Sequence, residues 1–243
     1  MVELQNISYS VKDKNLLKNK RKQILSNNSL NISEGDIVGL IGESGAGKTT
    51  LAKIIAGVLQ PTSGKLQFNS IGENEIQILF QNNLELINPF RNVGSILNDV
   101  MSISGNKNNI NSFLNKVKLT ESILEKYGHQ LSGGERQRIA LVQLLMVSPK
   151  LLILDEPFSA QDSDSQEDLV QLFQKLNKEL NITILCISHD LNIMSYFPNK
   201  LGVMKNGTII EFGETKIIVE SPKEKYTEFL FKAKEFQLTI DDF

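Results

Sequence analysis

The sequence contains no tryptophan, two histidines and a single cysteine among its 243 residues. Cys186 lies within the apolar run of residues 182–187. A lone cysteine excludes a disulfide within the chain and a cysteine-based metal cluster. The cysteine content therefore predicts a protein of a reducing compartment, and we expect it in the cytoplasm.

Long apolar runs and an excess of basic residues are also missing. No apolar stretch approaches the roughly 20 residues of a membrane-spanning helix, and residues 1–10 lack the charged and apolar regions of a secretory leader. The formal net charge is -2, which gives no general attraction to nucleic acid or to an anionic membrane. We therefore predict a globular chain that binds no nucleic acid. If it works at a membrane, another protein holds it there.

Strand and helix patterns alternate in two parts of the chain, up to residue 83 and again from residue 150. Short strands such as 37–41, 151–154 and 182–187 are apolar throughout, as in a parallel sheet that is covered on both faces. We predict an α/β fold with a mostly parallel sheet, and one copy of it in residues 1–243. The core would comprise residues 1–83 and 150–243.

The remaining segments have different compositions. Residues 84–149 are rich in asparagine and show helical patterns without a good strand pattern, which predicts an inserted α-helical subdomain. Near the N-terminus we expect an antiparallel β subdomain, with the polar residues 12–22 as the solvated loop of a hairpin. The charged residues 223–234 indicate a solvated amphipathic helix.

A glycine-rich loop connects the strand 37–41 to a predicted helix that begins at Lys48. The loop fits the pattern G-x-x-x-x-G-K-[ST], in which backbone N–H groups surround phosphates, the lysine neutralises their charge and the Thr49 hydroxyl binds Mg²⁺. A chance match has a probability of about one per cent in a chain of this length. The predicted nucleotide contacts are Gly42, Glu43, Ser44, Gly45, Ala46, Gly47, Lys48, Thr49 and Thr50.

Two acidic residues follow the apolar strand 151–154. Asp155 and Glu156 lie at the carboxyl end of that strand, the edge at which open α/β sheets bind ligands. We expect Asp155 to share Mg²⁺ with Thr49 and Glu156 to orient or deprotonate the water that attacks the γ-phosphate. Alone, such a pair would more often form a turn or a helix cap, but the phosphate loop upstream favours catalysis.

A second glycine pair precedes another predicted helix. Ser132, Gly133 and Gly134 could present backbone N–H groups and a helix N-terminus to a γ-phosphate. However, the loop at Gly42 already surrounds the phosphates of a nucleotide bound by this chain. A simple helix N-cap at Ser132 is the alternative interpretation.

The segments GESGAGKT, LSGGERQR and LLILDEP together resemble the signature set of the ATP-binding cassette (ABC) family, and the likeness covers nearly the whole chain. The resemblance implies the ABC type of P-loop NTPase fold, with ATP and Mg²⁺ as ligands and ATP hydrolysis as the activity. It also implies a head-to-tail pair with an identical or different cassette. The loop of Ser132, Gly133 and Gly134 in one subunit would close over the ATP held by Lys48 of the other.

Other positions match family motifs by their order and local sequence. Gln81 resembles the glutamine that touches Mg²⁺ or the attacking water, and His189 resembles the histidine that contacts the γ-phosphate. Tyr9 resembles the aromatic residue that stacks on adenine, although core packing is an alternative for a residue at this point of a strand. Asp162 matches a further nucleotide-site motif, in which Gln161 replaces the usual leucine.

Three segments, 80–94, 209–215 and 222–227, resemble the peptide and nickel importer branch of the family. This likeness implies an ATPase subunit at the cytoplasmic face of a bacterial-type membrane. Its partners would be integral membrane permease subunits and an extracytoplasmic solute-binding protein. The alternative is a cassette ATPase without a transport role, such as a subunit of a phosphonate-degrading complex, which resembles the same branch.

Overall fold

The computed structural model describes residues 1–12, 21–80, 87–106, 108–159 and 161–236. Its strands form two sheets. The three-stranded sheet has the order β2-β1-β4, with β1 (Val2–Lys12), β2 (Arg21–Ile32) and β4 (Ser63–Phe68). The six-stranded sheet has the order β5-β6-β7-β3-β8-β9, with β3 (Ile37–Ile41), β5 (Ile76–Leu79), β6 (Leu151–Asp155), β7 (Thr183–Ile187), β8 (Lys200–Lys205) and β9 (Thr208–Glu214).

The larger sheet is parallel except at one edge. β3 pairs in parallel with β7 and β8, β6 pairs in parallel with β5 and β7, and only β9 runs antiparallel to its neighbour. Every residue of β3, β6 and β7 is buried, because layers cover both faces of a parallel sheet. The smaller sheet is antiparallel throughout. The predicted α/β class is thus confirmed.

Eight helices are present in the described residues: α1 (Lys48–Ile55), α2 (Val93–Ser104), α3 (Ile110–Lys116), α4 (Gly133–Met146), α5 (Ser163–Leu180), α6 (Leu191–Met194), α7 (Thr215–Glu220) and α8 (Lys225–Phe236). Short 3₁₀ turns span Glu73–Glu75, Glu121–Glu125 and Gly128–Gln130. Helices α2, α3 and α4 lie between β5 and β6 in the chain. Across the described ranges, none of these helices combines the length and apolar character needed to cross a membrane.

Asparagines begin two helices of the asparagine-rich segment. The Asn92 side chain accepts a hydrogen bond from the Ser95 N–H at 2.8 Å, and Asn109 accepts one from the Asn111 N–H at 2.9 Å. Each bond satisfies an N–H group that has no partner within its helix. Helix α2 then ends at Gly105, whose φ of 64° suits a residue without a side chain. The composition of this segment therefore reflects local capping chemistry.

The N-terminal hairpin differs from its predicted form. Residues 12–22 were expected to be a loop, but β1 continues to Lys12 and β2 begins at Arg21, where the two residues pair. Val11 pairs with Lys22 in the same ladder. Polar side chains at an exposed strand end can project into water while the backbone groups pair, so polarity alone does not end a strand. The intervening residues 13–20 lie outside the described residues.

The central strand β3 contributes to two hydrophobic cores. Ile37 and Ile41 point to the core that includes α2, α3, α4 and α5, whereas Val38 and Leu40 point to the core shared with α1 and the three-stranded sheet. Successive side chains of a strand project to opposite faces, so one short strand anchors both layers. The loop that follows β3 therefore begins from a rigid support.

Three phenylalanines stabilise the chain that follows β6. The rings of Phe158, Phe173 and Phe197 have centroid separations of 6.1, 5.8 and 6.3 Å, and none is more than 3% exposed. Edge-to-face aromatic pairs are favoured at such separations. Phe158 lies two residues after Glu156, so this cluster holds the segment that carries the predicted catalytic carboxylate.

We predict that Phe173→Ala lowers the free energy of unfolding by about 3–5 kcal/mol, because the substitution removes a fully buried ring and leaves a cavity. Urea denaturation followed by circular dichroism measures the change. The same substitution at Phe90, which is 83% exposed, is the matched control and should cost less than about 0.5 kcal/mol. Equal losses in the two variants would contradict the assigned packing.

Candidate functional site

The glycine-rich loop leaves the carboxyl end of β3, between the neighbouring strands β7 and β8. Gly42 has a φ of 144°, and a Cβ atom there would come within 2.2 Å of the Met204 carbonyl oxygen. Gly47 has a φ of 102°, and its Cβ atom would lie 2.6 Å from Leu25 Cδ2. Only glycine fits these two positions. The path of the loop is therefore fixed by its close contacts with β8 and β2 as well as by its own sequence.

Lys48 is buried in this loop, with 8% of its surface exposed. Its Nζ donates hydrogen bonds to the carbonyl oxygens of Gly42 at 2.7 Å and Glu43 at 3.0 Å. Burial lowers the pKa of Lys48, although the negative charges of Glu156 and Asp155 raise it. Phosphate oxygens make stronger hydrogen bonds with an ammonium group than neutral carbonyls do. Lys48 therefore holds weak partners that an anionic ligand can replace.

Thr49 and Asp155 meet in front of the loop. The Thr49 hydroxyl donates to Asp155 Oδ1 at 3.1 Å, and Asp155 is 5% exposed. Burial raises the pKa of Asp155, the hydrogen bond from Thr49 lowers it, and the charge of Glu156 raises it. A hydroxyl and a carboxylate are oxygen donors of the kind that Mg²⁺ prefers. The pair fits the predicted metal site, because a divalent cation would offset the cost of the buried carboxylate.

Glu156 and His189 are in direct contact. Glu156 Oε2 lies 2.8 Å from His189 Nδ1, and the Glu156 N–H donates to the Ile187 carbonyl oxygen at 2.9 Å. Glu156 has a φ of 53°. Residues other than glycine rarely adopt this left-handed backbone conformation, and it recurs at functional sites. Its side chain is 13% exposed, against 71% for His189. The partly buried carboxylate thus faces an accessible imidazole.

A cleft of about 690 Å³ unites most of these groups. Its lining consists of Lys22, Ile24, Ser44, Gly45, Gly47, Lys48, Thr49, Thr50, Glu156 and His189. The fold therefore brings together the predicted phosphate loop, the predicted base and the predicted histidine. Lys22 and Ile24 were not predicted, since the pairing of β1 with β2, rather than a local pattern, brings them to the cleft.

The roles predicted for Tyr9 and Gln81 also stay predictions. Tyr9 pairs with Leu25 in the three-stranded sheet, packs against the hydrophobic core and is absent from the cleft lining. Its observed environment matches the core-packing alternative, and its contact with adenine stays a prediction. Gln81 lies outside the described residues, so both of its predicted roles stay predictions.

Ser132 caps helix α4 with a reciprocal pair of hydrogen bonds. Its hydroxyl accepts from the Glu135 N–H at 3.2 Å, and its own N–H donates to Glu135 Oε2 at 2.9 Å. A Cβ atom on Gly133 or Gly134 would meet nothing within 4 Å. Asp162 likewise caps α5, accepting from the Ser165 N–H at 2.8 Å. None of these capping residues lines the cleft of its own chain, and their nucleotide contacts stay predictions.

Helix α4 is joined to the segment that carries Glu156 by two amide side chains. Gln161 Nε2 donates to Gln137 Oε1, and Gln137 Nε2 donates to the Pro157 carbonyl oxygen at 2.8 Å. Gln137 is 8% exposed, and a buried amide requires such partners. The glutamine at position 161, where the family pattern has leucine, therefore has a polar partner within the same chain.

Comparison with known proteins gives a consistent result. Residues 25–159 match the ABC transporter family. The oligopeptide transport ATP-binding protein OppF of Lactococcus lactis is 36% identical over 222 residues, covering 84% of this chain and 70% of that protein. The dipeptide transport ATP-binding protein DppF of Haemophilus influenzae is 32% identical over 243 residues, with 93% and 74% covered. The dimeric post-hydrolysis structure of the ATP-binding cassette MJ0796 with ADP and Pi has a TM-score of 0.73 and 26% identity, with 89% and 99% covered. The chain belongs to the ABC transporter family, as one of its ATPase subunits.

Proposed function

We propose that this ATPase subunit drives the import of peptides by pairing with a second cassette, identical or different, at the cytoplasmic face of a membrane. The observation that carries the proposal is the cleft in which Lys48, Thr49, Glu156 and His189 converge. Two relatives are named for oligopeptide and dipeptide transport, which favours transport over the phosphonate-degrading alternative. Separate permease subunits and an extracytoplasmic solute-binding protein would complete the importer.

ATP binding would begin with an exchange of partners at Lys48. The ammonium group donates hydrogen bonds to the carbonyl oxygens of Gly42 and Glu43. Phosphate oxygens would replace these carbonyls, and the N-terminus of α1 would add its positive dipole. The exchange converts hydrogen bonds to neutral acceptors into charge-assisted ones. ATP binding is therefore favourable although Lys48 is already hydrogen-bonded.

Thr49 and Asp155 would hold Mg²⁺, with Gln81 as a further predicted ligand. The ion supplies positive charge to the β- and γ-phosphates. Thr49 already contributes a hydroxyl and Asp155 a carboxylate within hydrogen-bonding distance of each other. Asp155 would then act as a charged ligand, because the positive charge of the ion would outweigh the burial that favours the protonated acid.

Hydrolysis would depend on Glu156. Its carboxylate would orient the attacking water or accept a proton from it. The contact with His189 holds this carboxylate in the cleft, and the exposed imidazole would be accessible to the γ-phosphate. The backbone around Glu156 is held by the bond to Ile187 and by the Ser159 hydroxyl, which donates to the Glu156 carbonyl oxygen at 2.9 Å.

The signature glycines support a site shared between two subunits. Gly133 and Gly134 are exposed, have no left-handed φ and leave open space where a side chain would lie. Packing against the described residues of this chain therefore gives no reason for glycine at either position. A glycine pair permits close approach of a ligand to the backbone, as required if Ser132 and its neighbours meet the γ-phosphate of ATP bound by the partner. The dimeric state of the MJ0796 structure is in keeping with such an assembly.

We expect Glu156→Gln to lower the ATP hydrolysis rate by about 10²–10⁴-fold, because the amide keeps the size of the side chain but cannot act as a base. ATP affinity should be retained, since Lys48, Thr49 and Asp155 are unchanged. Gel filtration with Mg-ATP should show a persistent dimer, either of the variant alone or after addition of its partner cassette. Hydrolysis at a near-wild-type rate would refute the catalytic role of Glu156.

A mixture of two inactive variants tests whether the sites are shared. Ser132→Arg obstructs the loop of Ser132, Gly133 and Gly134 but leaves the phosphate loop of the same chain intact. Lys48→Ala disables the phosphate loop but leaves the loop of Ser132 intact. In a mixed dimer, one composite site combines two intact halves, and ATP-dependent association should return. Each variant alone provides the negative control. Failure of the mixture to associate, with both chains folded and able to pair with each other, would argue against shared sites.

The amide pair at positions 137 and 161 provides a test within one chain. We predict that Gln137→Leu lowers kcat by about tenfold with little change in ATP affinity, because the Pro157 carbonyl beside Glu156 loses its donor. The double variant with Gln161→Leu should be no worse than Gln137→Leu, since Gln161 acts through Gln137. Steady-state ATPase measurements on the wild type, Gln137→Leu, Gln161→Leu and the double variant test whether Gln161 acts through Gln137. Additive losses would contradict the series arrangement.

A further inference from the structure

The last helix, α8, reaches the phosphate loop through one of its side chains. The Tyr226 hydroxyl accepts a hydrogen bond from the Glu43 N–H at 3.2 Å, across 183 residues of sequence. Residues 223–234 were predicted to form a solvated helix, and α8 is indeed helical. However, Tyr226 is only partly exposed and packs against the hydrophobic core. This contact gives α8 a direct connection to the nucleotide site.

The N–H that Tyr226 binds belongs to the peptide unit whose carbonyl is that of Gly42. The same carbonyl oxygen accepts the Lys48 ammonium at 2.7 Å. One peptide unit is therefore held from both sides, by the phenol at its N–H and by the lysine at its C=O. Since a peptide unit is planar, fixing its N–H also fixes the direction of the carbonyl. Tyr226 thereby determines where the resting partner of Lys48 points.

Other contacts hold Tyr226 in this place. The Lys205 ammonium lies 4.4 Å from the centroid of the Tyr226 ring, a distance suited to a cation–π contact. Glu211, which is 8% exposed, accepts the backbone N–H groups of Lys223 at 2.8 Å and Glu224 at 3.2 Å. These bonds to strand β9 fix the chain just before α8. The phenol is thus anchored through both its ring and its helix.

The β8–β9 turn makes a second connection to the loop. The Gly207 N–H donates to the Ala46 carbonyl oxygen at 3.1 Å. The phosphate loop is therefore held at two points by residues that follow β8 in the chain.

The Tyr226 phenol stays neutral near pH 7. Burial raises the pKa of Tyr226, the hydrogen bond from the Glu43 N–H lowers it, and the Glu43 charge raises it.

We propose that Tyr226 is a positioning residue for ATP binding: its hydroxyl holds the Gly42–Glu43 peptide unit in the orientation that the phosphate loop needs. This inference rests on the proposed function of that loop. The ring of Tyr226 packs against the hydrophobic core, whereas the hydroxyl bonds to the loop backbone. A role in packing alone would therefore require only the ring. The effect should therefore appear in ATP binding when the hydroxyl alone is removed.

Tyr226→Phe tests the proposal, since it keeps the ring and its contact with Lys205. We expect the Kd for ATP to rise about threefold to tenfold, the effect of one hydrogen bond, with kcat changed less than twofold. In the ATP-free protein, hydrogen exchange at the Glu43 amide should accelerate, because that N–H loses its acceptor. Tyr196→Phe is the matched control. This variant removes a tyrosine hydroxyl that donates a hydrogen bond to Glu167 Oε2 at 2.8 Å. Tyr196 lines a cavity other than the cleft that contains the phosphate loop.

The outcomes separate this inference from the proposed function. Calorimetric titration with Mg-ATP is performed on wild type, Tyr226→Phe, Tyr196→Phe and Lys48→Ala. If Lys48→Ala loses binding while Tyr226→Phe binds ATP as wild type does, the positioning role is overturned and the proposed function stands. If Lys48→Ala binds normally, the phosphate loop is not the ATP site and both fail. Equal weakening by Tyr196→Phe would likewise overturn the specific role of Tyr226.

Discussion

The parallel pairing of β3, β6 and β7 determines where the candidate site lies. Parallel strands end at a common edge, so the loop after β3, the acidic pair at the end of β6 and the histidine after β7 emerge side by side. All three strands are fully buried, and this burial makes the edge rigid. The distances of 3.1 Å between Thr49 and Asp155 and 2.8 Å between Glu156 and His189 follow from that arrangement.

Each charged group at this edge is held by an internal partner that a ligand can replace. Lys48 is bound by carbonyl oxygens, Asp155 by a hydroxyl and Glu156 by an imidazole. Buried charges require partners, and the carbonyl oxygens at Lys48 and the hydroxyl at Asp155 are neutral groups that bind more weakly than a phosphate or a divalent cation would. These internal partners therefore stabilise the charged groups of the cleft without competing strongly with a charged ligand.

The two halves of the proposed composite site differ in how their own chain supports them. The phosphate loop is held by contacts with β2, β8 and α8, whereas the signature glycines are exposed, and a Cβ atom added to either would meet nothing within 4 Å among the described residues. The hydrogen bonds from Gln161 to Gln137 and from Gln137 to Pro157 join helix α4 to the segment that carries Glu156. This connection would let a change at one half reach the other half within the same subunit, while the proposed site would be completed by a second subunit.

The sequence by itself determined the features that depend on neighbouring residues. The phosphate loop, the acidic pair, the caps at Ser132 and Asp162 and the apolar strands all arise from residues a few positions apart, and the family resemblance follows from these local motifs. The extent of the N-terminal hairpin was misjudged, because strand pairing can continue through polar residues. Only the tertiary structure decided that Lys22 and Ile24 reach the cleft, that Gln161 bonds to Gln137 and that Tyr226 bonds to Glu43. These contacts join residues far apart in the chain, and their geometry depends on sheet register and packing, which no local pattern specifies.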